Sequence, residues 1–232
     1  MIDSLAPHIE DAYERLGHQW GWRFMATPAS TLAPHVDLAF VGLNPAGSTY
    51  GPPILSVEEG NAYRLEGWAP GGGPNALQVQ VLRMYGELAK RWRRPLSVGE
   101  LMDTTLAAHF CPFRSPSWQQ LASRRESIEF SQGLWRDLLA FAQPRVMVCF
   151  AESERLLAPA MESAGMRMTE PAETGPIGWG AYTYSLARYE SARGRTLMVR
   201  IPHLSRFKIF GRPESREAIE RFTTAAAEAT AA

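Results

Sequence analysis

Asn44 stands where a run of apolar residues stops. Val36-Asp37-Leu38-Ala39-Phe40-Val41-Gly42-Leu43 leads straight into Asn44-Pro45-Ala46-Gly47-Ser48. A continuous apolar run reads as a buried parallel strand, and ligands of open α/β sheets bind at the carboxyl ends of such strands. An amide held there between Leu43 and Pro45, with Gly47 close behind, is aimed into a pocket. Its carbonyl can orient a water molecule, although it is a poor general base. Asn-Pro also ends many strands merely to turn the chain. A second strand end follows near the C-terminus, where Thr196-Leu197-Met198-Val199-Arg200-Ile201 runs into Pro202-His203-Leu204-Ser205-Arg206-Phe207. A neutral imidazole at His203 can donate one hydrogen bond to a developing oxyanion. A lone histidine at a strand end is more often structural or on the surface. The third stretch with chemical potential is Ala108-His109-Phe110-Cys111-Pro112-Phe113-Arg114-Ser115-Pro116.

These segments need a frame. Ile9, Tyr13, Leu16 and Trp20 share one helical face, which predicts a helix over 5–24, followed by a strand at 37–43. The loop 44–75 is rich in Gly and Pro and holds Tyr50, Tyr63 and Trp68. Structureless loops of that length are usually functional or disordered. Gly71-Gly72-Gly73-Pro74-Asn75 then opens a helix with Leu77, Val81, Met84, Tyr85, Leu88 and Trp92 at helical spacing. A helix start behind a Gly-rich loop can bind phosphate through free amides, but the spacing is not that of a P-loop. Ser117 and Gln120 read as a capping box for a helix that stops before Pro144. A second buried strand is predicted at 145–150, then a short helix ending at Gly165. Strands at 182–189 and 195–201 and a C-terminal helix from Pro213 complete the reading, with the Ala-rich tail after Phe222 as a fraying surface helix end. Strands alternating with helices predict the α/β class, a mainly parallel sheet with helices on both faces.

The chain of 232 residues is long enough to bury one real core, and 45% hydrophobic with 21% charged residues is ordinary for a soluble globular protein. No stretch approaches the roughly 20 apolar residues of a membrane span, and the first ten residues do not resemble a signal peptide. A formal net charge of zero argues against a protein that coats nucleic acid non-specifically. Local basic faces remain. Arg83, Lys90, Arg91, Arg93 and Arg94 crowd one helix end and read as solvated surface. Arg200, Arg206, Lys208 and Arg212 bracket the His203 turn and read as phosphate contacts. Cys111 and Cys149 are read as buried small hydrophobes, from which a cytoplasmic location is expected.

In their order and strand-end placement, the three segments resemble the uracil-DNA glycosylase superfamily over about 36–212. Members of that superfamily carry a water-positioning Gly-x-Asn-Pro-Gly motif after the first strand. They carry a pyrimidine-recognition segment with an Asn a few residues before a Pro-Phe-Arg-Ser run, and a His/Asn-x-Ser motif after the last strand. The resemblance implies a three-layer α/β/α sandwich in a single domain over 1–232, with an N-terminal helix in 1–30, a core in 31–212 and a C-terminal helix in 213–232. It implies a monomeric, monofunctional DNA glycosylase that uses water to release a flipped-out pyrimidine, with no metal and no organic cofactor. Two cysteines are too few for the four-Cys iron–sulfur ligation of some relatives. No Lys lies in the three motifs to form an imine, which argues against a built-in lyase step.

By the same resemblance, Asn44 positions water at the sugar C1′ and His203 stabilises the departing base. Gly42, Leu43 and Pro45 shape the turn beside the base, and Tyr50, Tyr63, Trp68 and Phe110 are candidates for its aromatic floor or, equally, for pinning the loop to the core. Arg114, Ser205, Arg206 and Lys208 are expected on the DNA, with Leu204 and Phe207 as candidate wedges for the space a flipped base leaves. There are two departures. Ala46 replaces the first Gly after the Pro, and His109 stands where uracil-reading relatives place a pairing Asn. Asn offers a donor and an acceptor together, whereas a neutral His has them on opposite edges. Either recognition is altered, or the register slips and His109 is a supporting residue. The base is uracil, another deaminated base, or a modified pyrimidine such as a hydroxymethylated one, the last fitting a role against foreign or phage DNA. Two alternatives stand beside this reading. One is a catalytically weak lesion-sensing DNA binder of the same fold. The other is an unrelated α/β hydrolase with Cys111 or Ser205 as nucleophile, though the Gly-x-Ser-x-Gly elbow is missing.

Overall fold

A seven-stranded sheet runs through the molecule in the order β2-β1-β3-β7-β6-β4, with β5 also paired to β6. The strands are β1 (His35–Gly42), β2 (Leu106–His109), β3 (Gln143–Phe150), β4 (Arg167–Met168), β5 (Glu173–Pro176), β6 (Thr183–Ser191) and β7 (Gly194–Ile201). The structure, a computed structural model, describes residues 2–150 and 152–231. β2, β1, β3 and β7 are parallel, and β6 turns back antiparallel on β7 with β4 and β5 antiparallel to β6. The helices are α1 (Ile2–Arg15), α2 (Ala62–Leu65), α3 (Ala76–Ala89), α4 (Val98–Asp103), α5 (Arg124–Phe141), α6 (Ser153–Ser163) and α7 (Arg216–Ala231).

Side-chain alternation along β1 builds two cores. Ala39 and Val41 face a cluster that holds Ile9 of α1, Trp135 of α5 and Leu157 of α6. Leu38 and Phe40 face the opposite cluster, with Tyr63 of α2, Tyr85 of α3, Leu101 of α4 and Phe222 of α7. A strand buried on both faces has no polar side to show, which is why β1 and β3 read as unbroken apolar runs. This is the α/β class, with helices on both faces of a sheet whose centre is parallel.

Several boundaries differ from the sequence reading. The N-terminal helix stops at Arg15, not 24, because Gly17 takes a left-handed φ of +71°. Gly17 N donates to Glu14 O at 3.1 Å and His18 N to Tyr13 O at 3.1 Å, the paired closure of a Schellman end. The residues beyond run extended and antiparallel to the second motif, through Trp22↔Phe113 and Met25↔Ala108 bridges. The loop 44–75 is not structureless. It is laced to that N-terminal segment by Gly51 N→Trp20 O, Ile54 N→Trp22 O and Ala62 N→Ala26 O, and it contains α2. Asn75 does cap α3, in a reciprocal capping box with Gln78.

Ser117 does not start an α-helix. It opens a short 3₁₀ turn, and its hydroxyl meets the Gln120 side chain at 3.0 Å instead of a backbone amide. α5 begins only at Arg124, after Trp118 has been buried with the Arg124 guanidinium 5.1 Å from its ring centre. The Ala-rich tail does not fray at the surface. α7 runs to Ala231 with Phe222, Ala225 and Ala226 buried, and Arg145 Nη1 donates to Thr230 O at 2.8 Å. No helix among the described residues is long and apolar enough to cross a membrane.

Candidate active site at the carboxyl ends of the parallel strands

β1, β3 and β7 all end at one edge of the sheet. A cleft of about 620 Å³ opens there, lined among others by Asn44, Ser115, Glu154, Arg200, His203 and Arg206. β3 lies between β1 and β7, so the strand ends carrying Asn44 and His203 are about 10 Å apart, two strand spacings. That span suits a nucleoside placed between them.

The Asn44 turn is fixed by its neighbour segment. Phe110 N donates to Gly42 O at 2.7 Å, Cys111 N to Leu43 O at 2.8 Å, and Gly47 N to Ser115 O at 3.1 Å, so the first and second motifs run side by side. The Asn44 side chain closes this zipper. Its Nδ2 donates to Ser115 Oγ at 2.8 Å and to the carbonyls of Phe113 and Pro45 at 3.2 Å each. Three acceptors identify that atom as nitrogen and leave Oδ1 as the remaining acceptor on a half-buried side chain at the cleft. An amide oxygen held so firmly can orient a water. Ala46 is exposed and leaves Gly47 to supply the unusual φ of +149°.

His203 is held in one tautomer. Ser205 N–H donates to Nδ1 at 3.3 Å, and Ser205 Oγ lies 2.8 Å from the same nitrogen. A backbone amide can only donate, so Nδ1 accepts and the ring proton sits on Nε2. Burial, and then the Arg206 charge, hold the imidazole below its ordinary pKa of 6.5. The Phe150 ring lies 5.2 Å away and flanks it. His203 is therefore a neutral Nε2–H donor lining the same cleft as Asn44. Ser205 and His203 also form a serine–histidine contact, but among the described residues no carboxylate bonds Nε2 to complete a triad. Cys111 is no nucleophile either, being fully buried with its thiol pushed up to about 12.

His109 and its companions lie beside Gly42, on the α3 face of the sheet. A Cβ at Gly42 would stand 3.1 Å from His109 Nδ1 and 3.6 Å from the Tyr63 hydroxyl, so any larger residue would press on the His109 ring. Tyr63 is buried and meets Trp68 edge-on, with ring centres 4.8 Å apart. Trp68 Nε1 donates to Glu66 at 2.6 Å, and Arg23 grips the same carboxylate with two bonds of 2.8 and 2.9 Å. Burial pushes the Glu66 carboxyl up, but the Arg23 and Trp68 hydrogen bonds outweigh it and leave the group below its ordinary value. Arg114 lies over Gly51, and its Nη1 donates to Ala46 O at 3.3 Å. His109 Nδ1, Arg23 Nε and Arg114 Nε are all buried without a protein partner. Orphaned polar atoms of this kind mark a place where a ligand or water completes the bonding.

The site residues read from sequence thus separate. Asn44, Leu43, His203, Ser205 and Arg206 line the cleft. Gly42, His109, Tyr63 and Trp68 form the buried cluster beside it. Pro45 is buried in the turn, and Lys208 is exposed. Phe110 cannot floor a base pocket, because its fully buried ring belongs to the core on the other face of the sheet. Tyr50 is 66% exposed and belongs to neither group. Arg114 is half-buried against the 46–51 loop. Leu204 is fully buried and cannot act as a wedge. The helix-end cluster behaves as surface: Lys90 and Arg91 pair with Glu87, and Arg94 with Asp37. Sequence reasoning missed Arg23 and Glu66, 43 residues apart, and it missed the Arg200–Glu154 pair, which closes at 3.0 Å in the cleft.

Burial, followed by the charges of Arg23 and Arg114, pushes His109 down to about 3 from 6.5. The unfolded chain then binds a proton that the folded one refuses. The stability contributed by neutral His109 is complete above pH 6.5 and is lost as pH falls towards 3. We expect this residue alone to cost about 2 kcal/mol of stability between about pH 7 and pH 5. In His109→Asn the denaturant midpoint should decline less steeply over that window. Equal acid slopes in the two proteins would mean that His109 is not buried uncharged.

No protein-family model matches this chain, and no curated protein matches it significantly.

Proposed function

We propose that the protein is a monofunctional DNA glycosylase of the uracil-DNA glycosylase type, hydrolysing the N-glycosidic bond of a flipped-out pyrimidine. One observation carries the reading. An amide oxygen on a three-point anchor and a neutral Nε2–H donor line one cleft at the ends of parallel strands. Base hydrolysis needs those two groups at that separation: one to place water at C1′, the other to meet the negative charge leaving on the base. The sugar is already cation-like when water adds, so an amide that cannot take a proton suffices. Unpaired Arg206 and Lys208 beside His203 supply charge for backbone phosphates. The reading carries DNA as partner, a monomeric enzyme and a cytoplasmic location. The decisive assay is base release from duplex and single-stranded oligonucleotides, each with one damaged or modified base. Release of none of them, with duplex binding intact, would favour the lesion-sensing alternative.

We further infer that His109 reads the base. It stands beside Gly42 with an unsatisfied ring nitrogen, and a neutral imidazole cannot present the adjacent donor and acceptor that a uracil edge requires. Plain uracil is expected to leave more slowly than another pyrimidine, one with a modified edge. His109→Asn should move the preference towards uracil by about 1–3 kcal/mol, roughly one to two decades in relative single-turnover rate. Rapid uracil release by the wild type, unchanged in the variant, would remove His109 from the recognition set.

A further inference from the structure

The rim of the cleft carries an aromatic side chain that the motifs do not contain. β5 and β6 form a hairpin whose tip, 177–182, reaches the His203 loop. The tip is built to be rigid. Ile177 is fully buried, Ile177 N donates to Tyr182 O at 2.9 Å, and Tyr182 N donates to Trp179 O at 3.2 Å. Gly178 has a φ of +74°, and a Cβ there would lie 2.0 Å from Glu214 O, so the turn is pressed onto the start of the C-terminal helical segment. Trp179 is clamped by the Arg212 guanidinium, 3.9 Å from its ring centre.

Tyr182 ends this tip with its ring centre 4.0 Å from that of Phe207, and it is 48% exposed. Of the apolar side chains near the His203 turn, Leu204 is withdrawn into the core and Phe207 is half-buried against Tyr182. The most exposed ring lining the cleft is therefore Tyr182. Arg206, which lines the same cleft, and Lys208, next to Phe207 in the chain, are exposed and without acidic partners among the described residues. A rigid aromatic ring beside unpaired cations, at the entrance of a pocket for a flipped base, has the chemistry of a stacking platform for a neighbouring base.

Resting on the glycosylase reading, we propose that Tyr182 is the wedge that enters the duplex where the target nucleotide has left the stack. Phe207 backs its ring, and Arg206 and Lys208 hold the adjacent phosphates.

The test uses the full chain and a duplex with a tetrahydrofuran abasic analogue next to 2-aminopurine. Wild type should bind this duplex more tightly than the intact one and change the 2-aminopurine fluorescence. Tyr182→Ala should weaken binding of the abasic duplex about 10-fold or more and lose the fluorescence change, whereas Tyr182→Trp should keep both. Tyr182→Ala should slow base release from duplex substrate far more than from single-stranded substrate, where no stack has to be filled. A variant that damaged the His203 loop would slow single- and double-stranded release alike, and that result would overturn the wedge in favour of loop support. Wild-type affinity and fluorescence in Tyr182→Ala would also overturn it. Failure of the wild type to bind any of these DNAs would instead remove the glycosylase reading beneath it.

Discussion

Asn44→Ala is expected to slow single-turnover base release by about 10²-fold or more while duplex affinity changes little. The side chain makes its three hydrogen bonds through Nδ2, to Ser115 and to two backbone carbonyls, so its oxygen is directed by the fold and not by the substrate. On the proposed glycosylase mechanism, alanine removes the oxygen that would orient the attacking water and leaves Arg206 and Lys208 in place. Asn44→Asp is not a gentler version of this change. It would set a carboxylate oxygen against the carbonyls of Phe113 and Pro45, which offer no proton, and should lower stability as well as rate. Ser115→Ala provides a graded control. It removes the shortest of the three anchors and should reduce the rate by less than Asn44→Ala does. If Asn44→Ala cleaves within a few-fold of wild type, the water is placed by another group.

His203→Ala is the second large effect, again about 10²-fold or more in the chemical step. The loss is that of one preorganised donor aimed at charge that exists only as the base departs. Substrate affinity should therefore be spared. The pH profile gives an independent check on the same residue. Because burial and Arg206 keep the imidazole below its ordinary value of 6.5, the neutral donor persists as the solution is acidified past that pH. At lower pH, protonation would force a second proton onto Nδ1, against the Ser205 amide that donates to it. The rate should accordingly hold as the pH passes below 6.5 and fall only further into the acid range, and His203→Ala should flatten that limb. A variant that loses affinity but not rate would place His203 among the DNA contacts instead.

Both residues are legible in the sequence for the same reason. A strand buried on both faces needs an unbroken apolar run, and the break at its end shows which polar residue stands at the sheet edge. The runs before Asn44 and His203 meet that condition locally, and β1 and β7 appear where those runs lie. Helical spacing likewise marks α3 and α5, because neighbours three and four apart share a face whatever the rest of the chain does.

Which side chains meet was decided by pairings between distant residues. Trp20 continues the helical spacing of the N-terminal segment, yet the chain leaves the helix at Gly17 and pairs with 107–113, and that pairing carries Arg23 to Glu66 and His109. His109 and Phe110 are adjacent in sequence but face opposite sides of the sheet, since the pleat alternates and register alone assigns the faces. Tyr63 and Phe110 look equivalent as aromatic residues near a motif, but α2, tied to Ala26, sets Tyr63 beside Gly42 while the strand register turns Phe110 into the far core. Tyr182 reaches the cleft because β5 folds back on β6, a short antiparallel pairing with no apolar run of its own to announce it. Local spacing records the contacts between near neighbours. Strand register and hairpin closure bring together residues tens of positions apart, and here they assembled the cluster of Arg23, Glu66 and His109.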